Sequence, residues 1–488
     1  MRAWNQTAEQ QRFIRRYAVA VESGDVALFA GAGLSRAAGF VDWRSLLKDI
    51  AAELNLDVDR ETDLIAVAQY HVNAKKNRGR INQVLIDELT KSAARTPNHA
   101  LLARLPIPTV WTTNYDQLLE RAFEDAGKVV DVKISQENLA HTRRGRDVII
   151  YKMHGCVTQP HDAIITKDDY EQYERKRALF AESLKGDLIG KTFLFLGFSF
   201  TDPNIDYVLS RVRALLGENQ REHFCVMRRS PRPVRLAGRK KADFEYDYRK
   251  TGLRQADLLR FGIETIWIDE FEHLEPLLYS LAAFVHRKNV FVSGAAKQTE
   301  PLGSPRLEKL ARELGDRIIR GGFRLVSGFG SGVAEECILG ALSALYEAAK
   351  GAEADRVLVR PFPRASQPSD QPTQNTRHRE DLLSRAGSVI VIAGNRDNGA
   401  GGIVPSQGVF EEVEIAKRQR KFIIPIGATG HAAEELWKRA MAKPSEYLPG
   451  LVLTDELAAL GNRTASNEEL LNATFGILRA AEKAVANY

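Results

Sequence analysis

The stretch Ala27-Leu-Phe-Ala-Gly-Ala-Gly-Leu-Ser35, continued by Arg36-Ala-Ala-Gly-Phe-Val-Asp-Trp-Arg44, decides the fold. Val26 to Ala30 is a short apolar run of the kind that forms a buried parallel strand. Gly31 and Gly33 break it, and a helix is expected to begin near Trp43. Strand, glycine turn and helix together bring backbone N–H groups up to a pyrophosphate. The expected reason for glycine here is that a Cβ would hold the phosphate off the backbone.

Outward from this stretch, short apolar runs alternate with helical patterns. Helices are expected over 7–23, 43–54, 63–74, 82–92, 98–105, 117–126, 168–184, 206–216, 255–260 and 274–284. Strands are expected over 109–112, 129–134, 147–152, 192–196, 224–227 and 264–268. Near Arg287-Lys288 the pattern restarts, with strands over 289–293, 324–327, 356–360, 389–393 and 422–426. Helices are expected over 305–320, 333–349, 377–385, 408–418 and 468–485, and loops over 361–376 and 394–402. The alternation predicts α/β architecture: two Rossmann-like doubly wound parallel-sheet domains, the first with a helical insertion over 57–105. The boundary is placed at 287/288, and the Leu274–Lys288 connection is expected to act as a hinge between two pockets.

Composition bounds the function. A chain of 488 residues is too long for one core. A hydrophobic fraction of 44% and a charged fraction of 27% are those of an ordinary soluble protein. The net charge of +6 suits polyanionic ligands such as nucleotides without requiring nucleic acid. The three cysteines, Cys156, Cys225 and Cys337, form no C-x-x-C pair, which excludes a four-cysteine zinc site within the chain and makes no metal the expectation. The first residues contain no apolar signal region, and no run of about 18 apolar residues occurs, so no membrane association and a cytoplasmic location are expected. Arg228–Arg254 carries ten Lys/Arg. With few aromatics interleaved, it reads as a solvated loop running into a helix rather than a nucleic-acid patch.

In an open parallel sheet, ligands bind at the C-terminal ends of the strands. Four segments end there: Ala30-Gly-Ala-Gly-Leu-Ser35, Thr112-Thr-Asn-Tyr-Asp116, Met153-His-Gly155 and Gly197-Phe-Ser-Phe200. Each has a plain structural alternative. Asn114 can cap a helix, His154 can be a strand-end histidine with its hydrogen bonds satisfied, and Gly197 and Ser199 can form only a turn.

In this order the segments resemble those of the sirtuin superfamily, over about residues 10–285. Gly39-Phe-Val-Asp-Trp-Arg44 is similar to that family's G-I-P-D-F-R, with Val41 in place of proline and Trp43 in place of phenylalanine. The resemblance implies that Ala30, Gly31, Ala32, Gly33 and Ser35 hold the NAD+ phosphates, with Gly197 and Ser199 beside them. It places Asp42 and Trp43 near the nicotinamide. Thr113, Asn114 and Asp116 would address the nicotinamide ribose and a water, with Asn114 and His154 catalytic. The missing cysteine pairs set the chain apart from zinc-bearing protein deacylases and suit a zinc-less bacterial branch that hydrolyses NAD+ itself.

The second half resembles SLOG domains. The resemblance is carried by Val292-Ser-Gly-Ala295, Ser327-Gly-Phe-Gly-Ser-Gly332, the region Arg377–Asp381, and Gly394 through Glu412. It implies a nucleotide pocket lined by Gly294, Ala295, Gly328, Gly330, Gly332, Arg377, Gly394 and Glu411. Arg377 and Arg379 are candidates to pair with phosphates. The P-G-G-x-G-T-x-x-E motif of related phosphoribohydrolases is broken up in Gly401 to Glu412, which points to a sensor rather than a second enzyme. The two units in this order resemble the effector family of the bacterial Thoeris antiphage system. That implies an NAD+ glycohydrolase activated by a cyclic ADP-ribose isomer from a partner TIR-domain protein, a homotetramer, and depletion of cellular NAD in antiphage defence. The competing readings are a non-enzymatic nucleotide sensor or DNA-associated protein, and an NAD-dependent protein deacylase.

Overall fold

A computed structural model of the chain describes residues 6–40, 42–91, 95–200, 202–229, 239–347 and 356–487. Val41 and residues 230–238 of the basic segment lie outside them. The chain divides into two compact units, Met1–Ala282 and Ala283–Tyr488.

The first unit is built on a seven-stranded sheet: β1 (Val26–Ala30), β2 (Thr109–Thr112), β3 (Val130–Lys133), β4 (Val148–Lys152), β5 (Thr192–Leu196), β6 (His223–Arg228) and β7 (Ile263–Ile268). Their order is β3-β4-β2-β1-β5-β6-β7, with every pairing parallel. β1 is central and its five residues are all buried, as its unbroken apolar run requires. Phe29, Trp111, Phe193 and Phe195 fill one face, packed with Phe180 and Leu184 of the helix Tyr173–Gly190. The chain leaves β1 toward β2 on one side and returns to β5 on the other. The crevice of an open sheet lies at such a reversal.

The second unit carries a five-stranded parallel sheet: β8 (Asn289–Ser293), β9 (Arg324–Ser327), β10 (Val357–Val359), β11 (Ser388–Ile392) and, after a hairpin of β12 (Asn395–Asp397) and β13 (Ile403–Pro405), β14 (Phe422–Ile426). The order is β10-β9-β8-β11-β14. Its core sets Leu310, Leu314 and Ile318 of the helix Ser304–Arg320 among β8, β9 and β11. The α/β architecture with two parallel sheets is the one expected from the alternation.

Several local expectations change. A five-residue helix, Ala32–Arg36, follows Gly31 directly, and the expected helix over 43–54 is split into Trp43–Leu46 and Lys48–Ala52 at Leu47. The helix over 168–184 is likewise two, Lys167–Glu171 and Tyr173–Gly190. Arg177 leaves helical geometry (φ −135°) where its buried guanidinium bonds Ile134 O and Asp162. The basic segment is helical from Arg239, in the helix Arg239–Leu259, rather than a loop. The expected loop over 361–376 gives way to the helix Gln371–Ser384, because Pro372 sits in the first turn, where a missing N–H costs nothing. The expected loop over 394–402 is largely the β12–β13 hairpin. The helices His431–Ala442, Pro444–Tyr447 and Thr454–Ala459 were not anticipated. The helix expected over 274–284 is present as Leu274–His286, and the division of the chain into two units falls inside it.

Candidate active site

The glycine turn after β1 is shaped by the turn after β5. Gly31 N donates to Leu196 O at 2.8 Å and Gly33 N to Gly197 O at 2.9 Å. A Cβ on Gly31 would lie 2.5 Å from Gly197 O, and one on Gly197 (φ +63°) would lie 2.4 Å from Leu34 N. Backbone-on-backbone packing therefore leaves no room for a side chain at Gly31, Gly33 or Gly197, a constraint independent of the phosphate expected there. Ala30 is buried at the end of β1, whereas Ala32, Gly33, Gly197 and Ser199 are exposed along this edge.

The turn after β2 and the helix Ala32–Arg36 share a chain of three buried polar side chains. Asn114 Nδ2 donates to Gly31 O at 3.1 Å and to Ser35 Oγ at 2.8 Å, and Ser35 Oγ donates to Asp116 Oδ2 at 2.6 Å. This order fixes the amide. The single Ser35 proton goes to a carboxylate, which only accepts, so Ser35 can only accept from Asn114 and the NH2 must face it. Asn114 Oδ1 then points elsewhere, buried and without a hydrogen-bond partner. Asp116 Oδ1 accepts from Leu118 N at 2.9 Å at the start of the helix Leu118–Asp125. Lys152, fully buried at the end of β4, holds Asp116 O and pairs with Glu120 at 2.7 Å. The Asn114 backbone N–H donates to Thr112 Oγ1 at 3.0 Å, and Thr113 beside it is half-buried.

His154 follows β4 in a turn completed by Gly155 at φ +91°. It is buried among Tyr115, Tyr170 and Tyr173, whose ring centroids lie 6.5, 5.5 and 6.2 Å from its own. Asp202 Oδ2 lies 3.2 Å from Nε2, yet off the line of a ring N–H, so Nε2 has a charged neighbour and no hydrogen bond. Burial holds the imidazole below its ordinary pKa, the Asp202 carboxylate opposes that and Arg177 adds to it. Tyr173 OH is a further buried hydroxyl without a partner. Buried polar atoms are nearly always paired, so Asn114 Oδ1 and Tyr173 OH, buried without partners, are open to a polar ligand, while His154 Nε2 is turned to the Asp202 carboxylate.

On the other flank, Asp42 caps the helix Trp43–Leu46 through Ser45 N at 2.9 Å and lies 3.7 Å from Arg36. Trp43 packs with Tyr115 against the core of the helical insertion around Leu46, Leu47 and Ile50. Both are thus engaged structurally. Sequence reasoning did not assign Asp202, Tyr115, Tyr170 or Tyr173. For Asp202 a signal existed: Asp-Pro at a helix start is a capping signature.

In the second unit Gly294 and Gly330 meet as the first unit's glycines do. A Cβ on Gly294 would lie 2.3 Å from Ile392 O, and one on Gly330 would lie 2.3 Å from Gly294 O. Ala295 O accepts from Gly394 N at 3.0 Å and Asn395 N at 2.9 Å, and buried Asn395 holds Lys297 N and Gln298 N, each at 2.9 Å. Gly328 faces the Phe362 ring and Gly332 the Ala296 carbonyl. Arg379 is already committed: it bonds Glu411 at 2.8 Å, lies 3.5 Å from Glu412 and stacks over Phe362 at 4.9 Å. Glu411 also accepts from Thr376. Of the two expected phosphate partners, only Arg377 is exposed and forms no ion pair among the described residues.

Comparison with known proteins bears on both units. A SIR2-like domain model matches residues 108–250, and a model described as the Sir2- and TIR-associating SLOG family matches 273–481. The NAD(+) hydrolase ThsA of Bacillus cereus (strain MSX-D12) is 41% identical over 464 residues, covering 94% of this chain and 96% of that protein. The chain belongs to the ThsA family of NAD(+) hydrolases. The ThsA proteins of Acinetobacter baumannii (strain 532279), 40% identical over 90% of this chain and 92% of theirs, and Cytobacillus dafuensis, 37% identical over 97% of both, extend the likeness along the whole length. Among the described residues no cluster of His, Cys, Asp or Glu is arranged to hold a metal ion, and no helix is long and apolar enough to cross a membrane.

Proposed function

We propose that the first unit cleaves NAD+ at its N-glycosidic bond, giving ADP-ribose and nicotinamide, with Asn114 and His154 as the catalytic pair. The observation that carries this reading is the forced orientation of the Asn114 amide. Its Oδ1 is an acceptor aimed away from Ser35, able to take one proton of a water and point that water's oxygen at the ribose. Nicotinamide is cationic in NAD+ and leaves neutral, so the breaking C1′–N bond needs no general acid. The electron pair passes to the pyridinium ring, the water oxygen bonds C1′, and the water proton goes to His154. Low pKa suits this base, since a neutral imidazole is ready at neutral pH. Proximity and orientation of water and ribose supply the rest of the barrier reduction. Gly31, Ala32, Gly33, Ser35, Gly197 and Ser199 form the edge along which the pyrophosphate would lie.

The second unit is the sensor in this reading. Its glycine loops and the exposed Arg377 suit a phosphate-bearing nucleotide, and the family's description couples this domain type to TIR proteins. A cyclic ADP-ribose isomer made by a partner TIR-domain protein would bind there and turn on hydrolysis in a cytoplasmic homotetramer, depleting NAD in antiphage defence. In this reading residues 1–287 serve hydrolysis and 288–488 sensing, a functional division a few residues beyond the structural one at 282/283. The test is nicotinamide release by the purified full chain, with and without a panel of cyclic ADP-ribose isomers, beside Asn114→Ala. Release that depends on an isomer and disappears in the variant is expected. Release without any isomer removes the gate, and no release under any condition removes the enzyme reading.

A further inference from the structure

We propose that the Asp202 carboxylate is the counter-charge for His154, a positioning residue that supports the imidazolium formed when His154 takes the proton from water. The proposal rests on His154 being the base, and goes beyond the strand-end motifs, since Asp202 belongs to none of them.

The geometry divides the carboxylate between two tasks. Oδ1 accepts from Asn204 N at 2.9 Å and Ile205 N at 3.3 Å, capping the helix Pro203–Leu216. Oδ2 is left facing His154 Nε2 at 3.2 Å. The cap immobilises the carboxylate, and the helix N-terminus favours its negative charge. Both side chains are largely withdrawn from water, 4% exposed for His154 and 11% for Asp202, so the charge is little screened.

The other groups facing His154 cannot substitute. The hydroxyls of Tyr115, Tyr170 and Tyr173 are held protonated, mainly by burial. Among the described residues Arg177 is the cation acting on the ring; it works against protonation, and it is itself tied to Asp162 at 2.6 Å. A base that must become cationic in such surroundings needs an anion beside it, and Asp202 is the anion the structure provides. At present Oδ2 is off the ring N–H line, so a small rotation of the imidazole converts the contact into a charge-assisted hydrogen bond as the proton arrives.

The test uses the full chain with Asp202→Asn and Asp202→Ser, both of which retain a capping oxygen while removing the charge, and Asp202→Glu, which keeps it. Two readouts are taken: the pH titration of the His154 ring by NMR with labelled histidine, and the acid limb of kcat/KM for nicotinamide release under conditions where the wild type turns over. Removing the carboxylate destabilises the imidazolium, so the His154 titration should move down by about one pH unit. The acid limb should move with it, and the plateau should fall about tenfold as the base weakens. Asp202→Glu should restore much of both. An unmoved His154 titration in folded Asp202→Asn or Asp202→Ser, in an enzyme that His154→Ala inactivates, overturns the counter-charge and leaves the base. Wild-type turnover by His154→Ala overturns both.

Discussion

The two units solve one backbone problem the same way and then diverge. In each, the turn after the first strand is pressed against a neighbouring turn so closely that only glycine fits: Gly31 and Gly33 against Gly197 in the first, Gly330 against Gly294 in the second. What lies around the turn differs. In the first unit the strand ends present buried polar atoms without partners, Asn114 Oδ1 and His154 Nε2. In the second the charged groups are mostly matched to one another, Arg379 with Glu411 and Glu412, while Arg377 stands exposed. The second unit also has buried polar atoms without hydrogen-bond partners, Arg379 Nε and Gln374 Oε1 among them, so the contrast lies in which groups they are: an amide and an imidazole beside the strand ends in the first unit, charged groups paired between two helices in the second.

The largest expected break in that contrast comes from the proposed catalytic pair. Asn114→Ala and His154→Ala should each lower nicotinamide release by about 10²- to 10⁴-fold; His154→Ala should hardly change the melting temperature, whereas Asn114→Ala should lower it by leaving Gly31 O and Ser35 Oγ without their donor. Next are the glycines. Gly197→Ala places a Cβ on backbone at a φ of +63° and should destabilise the first unit by about 4 kcal/mol. Gly294→Ala should do the same to the second unit. If the units melt separately by calorimetry, each variant should shift only its own transition; a shift of both by either variant would show that the comparison of independent units is wrong.

The motifs were legible in the sequence because parallel-sheet chemistry is local: apolar runs such as Val26–Ala30 and Thr192–Leu196 are bounded by the residues that line the crevice. The hydrogen-bond order Asn114–Ser35–Asp116 was not legible, because it joins residues 79 and 81 positions apart. The same holds for Arg177, whose departure from helical geometry answers to Ile134 and Asp162, distant in sequence. Asp202 was hidden differently: Asp-Pro signals a helix cap, and nothing in one dimension shows that the second carboxylate oxygen meets His154. The close packing of the glycines was not legible for a related cause, since a G-A-G turn reads alike whether its neighbour is a phosphate or another turn.

In the second unit, Arg379→Ala and Arg377→Ala should separate structure from recognition. Removing Arg379 leaves Glu412 buried without its cation and should cost about 3 kcal/mol in the second unit's stability. Removing Arg377 should leave the melting curve unchanged and weaken binding of a cyclic ADP-ribose isomer, the proposed activator, by about 2 kcal/mol, as for a lost charge-assisted hydrogen bond. Isothermal titration beside calorimetry reads both. The reverse pattern would make Arg377 the structural group and Arg379 the phosphate partner.

The smallest effect concerns Glu412 itself. Burial raises its pKa above the ordinary value, although Ser293 Oγ at 2.5 Å and Arg379 both favour the charged form. An acid whose folded pKa is raised binds its proton more tightly folded than unfolded. Its contribution to stability is therefore greatest below the unfolded pKa, about 4.3. That contribution declines as pH rises to the folded pKa, and is level above it. Glu412→Gln retains a group that can accept from Ser293 and has no charge to bury. The variant should lack this decline, so that its stability relative to wild type grows as pH rises through the window and then stays constant. Denaturant melts at a series of pH values measure it. A relative stability that falls with pH would mean that the Arg379 pair outweighs burial, and that the second unit's network is held by charge rather than merely tolerating it.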